Sequence, residues 1–143
     1  MIGETTVRVR YAETDQMGVV YHSNYIIWFE VGRVELLRDL GFDYRKMEID
    51  DDCAIAVVDV RCRYKAPAFY DDVIVIRTRL VHLRRKLLHF EYEVLRASDR
   101  VLLATGETVH VVVDSKMKPH PLPDKYYNAF LGSLEAAQCQ PSS

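Results

Sequence analysis

The segment Tyr11-Ala-Glu-Thr-Asp15-Gln-Met-Gly18-Val-Val-Tyr21-His22-Ser-Asn-Tyr25 holds the residues of this chain best suited to chemistry. It is a polar loop with a carboxylate, a glycine and an imidazole, and it runs directly into an apolar helix. The first N–H groups of a helix lack intrahelical acceptors and lie at the positive end of its macrodipole, so they can hold developing negative charge. Asp15 lies a few residues upstream, and Gly18 permits a turn of unusual dihedrals. Together they could aim a carboxylate at a carbonyl carbon whose oxygen rests on those N–H groups. Acyl transfer is the chemistry this order of residues suits. Taken singly, each residue has a plainer role. An Asp before a helix is a turn or cap residue, His22 is a polar neighbour of a helix start, and Tyr11 and Tyr21 are packing aromatics.

Arg84-Arg85-Lys86 is the only run of three consecutive cations, and it falls between two strand-like runs where a turn would present it. Such a turn is either a solvated hairpin or a clamp for phosphate. Arg61, Arg63, Lys65, Lys116 and Lys118 are scattered, as on an exposed face. Cys53, Cys62 and Cys139 show neither CxxC nor Cys/His metal spacing, which speaks against a disulfide framework or a structural zinc and for a reducing cytoplasm. No His is placed to activate a thiolate, and no GxSxG, P-loop, HExxH or Rossmann glycine pattern occurs. No metal or redox cofactor is implied.

The elements that must position these residues are legible as periodicities. Residues 5–11 alternate Val7, Val9 and Tyr11 with polar side chains, as in a half-buried strand. Over 23–40 a long helix is predicted, with Ser23 or Asn24 as cap and Gly41 at C′; its first half is apolar nearly all round, and the helix should be largely wrapped by other structure. A short helical turn is expected within 43–52. Four strands then follow at about 53–65, 72–83, 86–97 and 101–114. Ala54, Ala56, Val58, Val60, Cys62 and Tyr64 share one face of the first. Ile74, Ile76 and Leu80 do so in the second, and Leu88, Phe90, Tyr92 and Val94 in the third. In the last, Leu103, Val109, Val111 and Val113 oppose Thr108 and His110, and Gly106 marks a bulge. Residues 123–137 read as a packing helix, with a frayed tail over about 135–143. The order strand, helix, four strands implies an α+β fold in which a five-stranded, mostly antiparallel sheet covers one long helix.

A chain of 143 residues forms one domain with one core. Its net charge of -2 offers no global field for nucleic acid, so any anionic ligand needs a local basic cluster. No run of about 18 apolar residues predicts a membrane span.

The loop resembles the motif of the hotdog-fold thioesterases related to 4-hydroxybenzoyl-CoA thioesterase, in particular the bacterial branch associated with the Tol-Pal envelope system. Those proteins carry a Tyr and then T-D-x-x-G-x-V-Y-H-x-x-Y leading into the long helix. Here Thr14, Asp15, Gly18, Val20, Tyr21, His22 and Tyr25 fill every place. The resemblance extends to Phe69-Tyr70-Asp71-Asp72-Val73 and to Arg84-Arg85-Lys86, and so covers about residues 5–120. It implies an acyl-CoA thioesterase in which Asp15 is nucleophile or general base and the His22 backbone N–H polarises the carbonyl. The His22 imidazole and the Tyr11 hydroxyl would orient groups or assist the leaving thiolate, and Arg84, Arg85 and Lys86 would hold the phosphates of coenzyme A. It further implies a homodimer or homotetramer, with an aliphatic or aromatic acyl group, no separate cofactor, and acyl carrier protein as an alternative carrier. A non-catalytic acyl-CoA-binding module is the remaining alternative.

Overall fold

A computed structural model describes residues 2–139, with side chains through residue 134. Residues 140–143 of the expected tail lie outside the described residues. Strands β1 (Gly3–Arg8), β2 (Ala54–Tyr64), β3 (Val73–Arg84), β4 (Leu87–Arg96) and β5 (Leu102–Val113) form one sheet in the order β1-β3-β4-β5-β2. Every neighbouring pair is antiparallel. Helix α1 (Asn24–Asp39) lies on the inner face, followed by the short α2 (Tyr44–Asp50), and α3 (Asp124–Cys139) packs at the end of the chain. This is the expected hotdog arrangement, with the last four strands bounded within about a residue of the sequence reading.

The alternation read in β3 and β4 is the core. Ile74, Ile76, Leu80, Leu88, Phe90, Tyr92 and Val94 are all buried, with Phe29, Leu36 and Leu37 of α1 set against them. Helix α1 ends where Gly41 takes φ +89, a conformation costly for any side chain. There Gly41 N–H donates to Arg38 O and Phe42 N–H to Leu37 O, each at 2.9 Å, the paired bonds of a Schellman cap.

Five local expectations are corrected. Strand β1 stops at Arg8 rather than continuing to residue 11, because Arg10 N–H donates to the Glu13 carboxylate and turns the chain into a 3-10 turn at Tyr11–Glu13. In β2 the register slips between Val57 and Asp59, so the single face 54–64 is broken. Ile55 is buried before the slip, and after it Cys62 packs against the core while Tyr64 is 48% exposed at the strand end. In β5 the inward face is the one bearing Thr108, His110 and Val112, whereas Val109 and Val111 lie on the outer side. Gly106 is no bulge, since it pairs regularly with Cys62 and Tyr92. A Cβ there would lie 2.2 Å from Phe29 Cζ and 2.9 Å from Arg61 O, so glycine is needed for close approach of helix and sheet. Finally, α1 is not wrapped on all sides, for Ile26 and Ile27 are 40% and 52% exposed.

Candidate functional site

The loop ahead of α1 folds back on itself. Thr14 and Val20 form an antiparallel bridge, Tyr21 N–H donates to Glu13 O at 2.8 Å, and Asp15 N–H donates to Val19 O at 2.9 Å. At the tip Gly18 takes φ +78, and its N–H closes on Asp15 O at 3.0 Å. The Asp15 carboxylate accepts Met17 N–H through Oδ1 at 2.9 Å, which fixes the side chain in an Asx turn. Among the described residues Oδ2 has no partner, so one oxygen fixes the carboxylate's orientation and the other is unengaged.

On the opposite arm of the loop the chain enters α1 without a side-chain cap, contrary to the expected Ser23 or Asn24 cap. Ser23 is in the helical region at φ -67, ψ -21, and Asn24 Nδ2 donates instead to Glu13 O at 2.9 Å. Asn24 N–H bonds to Tyr21 O at 3.0 Å. Among the described residues the N–H groups of His22 and Ser23 have no acceptor, which leaves unpaired donors at the positive end of a 16-residue helix.

Two residues the sequence reading did not single out hold this arrangement. Glu13, only 8% exposed, accepts Arg10 N–H at 2.8 Å and Trp28 Nε1–H at 3.3 Å, so a buried carboxylate pins the loop to the helix. The i, i+3 spacing of Arg10 and Glu13 was its one sequence signal, shared by many surface pairs. Tyr64, at the end of β2, donates its hydroxyl to His22 O at 2.8 Å. No local pattern could reveal a bond between positions so far apart in the chain.

The underlying loop is also tied. Ala68 O accepts Val20 N–H at 2.9 Å, Asp72 Oδ2 accepts Phe69 N–H at 2.9 Å, and the Arg96 guanidinium reaches both Asp72 and Pro67 O. Burial pushes the Cys62 thiol above its ordinary value and the Cys53 thiol up to about 11, so neither is a thiolate near neutrality.

The other nominated residues are placed less directly. Tyr11 is 77% exposed, and its recorded ring partner is Tyr70, edge to face at 5.8 Å. The His22 imidazole is exposed, tilted against the Tyr21 ring at 4.3 Å. Arg84, Arg85 and Lys86 do form the β3–β4 turn. Arg85, however, pairs with Asp124 at 2.6 Å and covers the Tyr127 ring at 4.0 Å, so it fastens α3 to the turn. Arg84 and Lys86 have no such tie among the described residues. The Asp15 loop adjoins the start of β3, where Val9 N–H bonds to Asp72 O. The basic turn lies at the far end of that 12-residue strand, roughly 35 Å away at the usual rise. One copy of the chain therefore does not bring the cations to its own Asp15.

The Thioesterase-like superfamily matches residues 9–130. The chain is 37% identical over 118 residues to the acyl-CoA thioester hydrolase YbgC of Escherichia coli, covering 82% of this chain and 87% of that protein. A Thermus thermophilus crystal structure superposes with a TM-score of 0.86 at 38% identity, covering 93% of this chain and 98% of the other. The DHNA-CoA thioesterase of Staphylococcus aureus superposes with a TM-score of 0.85 at 33% identity, covering 96% and 91%.

Proposed function

The chain belongs to the thioesterase-like superfamily, and from that premise we propose that it hydrolyses an acyl-coenzyme A to the free acid and coenzyme A. The observation that carries the reading is the pairing, on two arms of one loop, of a carboxylate with one oxygen unengaged among the described residues and the His22 and Ser23 amides, likewise without acceptor, just ahead of the helix. The thioester carbonyl oxygen rests on the His22 N–H, where charge develops as the carbon becomes tetrahedral. Asp15 Oδ2 either attacks that carbon, giving a mixed anhydride that a water then hydrolyses to free the acid and the carboxylate, or draws a proton from the water that attacks the thioester directly. Coenzyme A leaves as a thiolate, and a thiolate is stable enough to leave without strong acid assistance. Tyr11 and the His22 ring orient the substrate at the rim. No cofactor beyond the substrate's own coenzyme A is used.

A second copy of the chain completes the site in this proposal. Strand β2 is 11 residues long and forms a sheet edge, where Val57 and Val58 are 47% and 58% exposed, and Ile26, Ile27 and Tyr21 are exposed near the helix start. A long apolar edge is a pairing surface unless covered. Assembly into a homodimer or homotetramer covers it and lets the partner's Arg84 and Lys86 approach the phosphates that one chain's own turn cannot reach. The free Cys53 and Cys62 thiols fit a reducing cytoplasm.

The test is steady-state hydrolysis of short aliphatic and aromatic acyl-CoA esters, with matched acyl carrier protein thioesters alongside. Turnover of the CoA esters is expected. Binding without turnover across both panels would overturn the reading in favour of a binding module, and turnover confined to the carrier protein would replace the substrate. Arg84→Ala is expected to raise KM for acyl-CoA about tenfold and to leave KM for the matching acyl-pantetheine unchanged. Equal effects on both would remove Arg84 from phosphate binding.

A further inference from the structure

The hydroxyl of Tyr64 touches the reaction apparatus at a point where it controls direction rather than charge. In a planar trans peptide the C=O and the following N–H point in opposite directions. The His22 C=O and the Ser23 N–H share such a plane, so whatever holds the first aims the second. Tyr64 Oη donates to His22 O at 2.8 Å, and the helical bond from Tyr25 N–H to the same oxygen is long, at 3.4 Å. The preceding plane is held in the same sense, because Tyr21 O accepts Asn24 N–H at 3.0 Å and so aims the His22 N–H. Two successive carbonyls are thus tied down while the two N–H groups opposite them have no acceptor among the described residues.

We propose that Tyr64 is a positioning residue for the hydrolysis, locking the 22–23 peptide so that the Ser23 N–H joins the His22 N–H as a second donor to the oxyanion. The inference rests on the thioesterase reading above and adds to it a donor and the residue that orients it. The phenol is itself well restrained. Its ring meets the buried Tyr25 ring edge to face at 5.1 Å, and Tyr25 packs on Trp28, whose indole N–H is bonded to Glu13. Desolvation, and then contact with the Cys62 thiol, raises its pKa above the ordinary tyrosine value, so it remains an O–H donor at neutral pH. A fixed donor pair suits a charge that grows during reaction, since no reorientation is needed at the moment the charge appears.

Tyr64→Phe keeps the ring and removes only the hydroxyl. On an acyl-CoA that the wild type hydrolyses, kcat is expected to fall about tenfold or more with KM changed less than about twofold. Two inert analogues supply a readout that general loosening would not move. A ketone analogue keeps the carbonyl oxygen, and its binding weakens several-fold; a thioether analogue lacks that oxygen, and its binding is unchanged. Tyr44→Phe, which removes a hydroxyl accepting the Ile55 N–H elsewhere in the fold, controls for loss of a tyrosine–backbone bond and leaves kcat unaltered. Wild-type kcat in Tyr64→Phe, or equal weakening of both analogues, would overturn the proposal while leaving the thioesterase reading in place. A wild type inactive on every thioester would instead overturn that reading, a result separable from an active wild type matched by an equally active variant.

Discussion

The two ends of α1 are built to opposite specifications. At its C-terminal end the carbonyls are closed by the Schellman bonds of Gly41 and Phe42, and Leu36 and Leu37 are buried. A chain of polar side chains lies below that half. Arg33 donates to the Tyr92 hydroxyl at 3.1 Å, Tyr92 meets Thr108 Oγ1 at 2.6 Å, and Thr108 meets His110 Nε2 at 2.8 Å. At the N-terminal end, among the described residues, no side chain caps the helix and two amides lack an acceptor, and the loop that precedes them is open, with Met17 84% exposed. The same helix is thus closed at one end and open at the other, the arrangement the proposed reaction requires of a site that binds charge only as it develops.

The sharpest way to break this contrast is Asp15→Asn. The amide oxygen still accepts Met17 N–H, so the turn persists, while the reactive charge is gone. We expect kcat to drop by at least about 100-fold with Tm unchanged within a degree or two, measured by steady-state kinetics and thermal unfolding. A fall in Tm with turnover retained would place Asp15 among the structural residues.

The reverse dissociation is expected from Gly106→Ala, where helix and sheet meet. The added methyl meets the Phe29 ring and the Arg61 backbone, and Phe29 is itself stacked on Tyr92 at 4.4 Å. Overpacking of this kind costs about 1–3 kcal/mol, read as a Tm lowered by several degrees. The folded fraction should keep most of its kcat, and an unchanged Tm would show that Phe29 yields freely.

The smallest effect concerns His110. It is fully buried, and desolvation, followed by the Arg33 charge, pushes its pKa down from the ordinary 6.5 to about 3. A native value below the unfolded one means that the stabilisation is complete above about pH 6.5 and is lost as pH falls from there towards 3. The slope is at most about 1.4 kcal/mol per pH unit for one proton. Between pH 7 and 5, Tm should therefore fall more in the wild type than in His110→Gln. Parallel curves would assign that loss to other groups.

Much of this was legible in the residues. The alternation in β3 and β4, the length of α1, the C′ glycine and the Asp15–His22 loop all depend on neighbours within a few positions, where periodicity and turn chemistry act. What escaped depends on partners far along the chain. Glu13 reads as a surface carboxylate until Trp28 covers it, and Arg85 reads as a free cation until Asp124 and Tyr127 engage it. In β2 the hydrophobic run is continuous, so nothing in it announces the slip beyond Val57. In β5 both faces carry apolar residues, so the choice between Val109 with Val111 and Thr108 with His110 waited on which side α1 occupied.

The sequence by itself therefore determined the elements, their order, and the carboxylate-bearing loop that enters the helix, because short-range backbone preferences and the burial of alternating apolar residues suffice for these. Only the tertiary structure decided which amides were left unpaired and what aims them. That outcome turns on a tyrosine 42 positions from the carbonyl it holds, on a strand brought alongside the helix by the packing of the whole sheet.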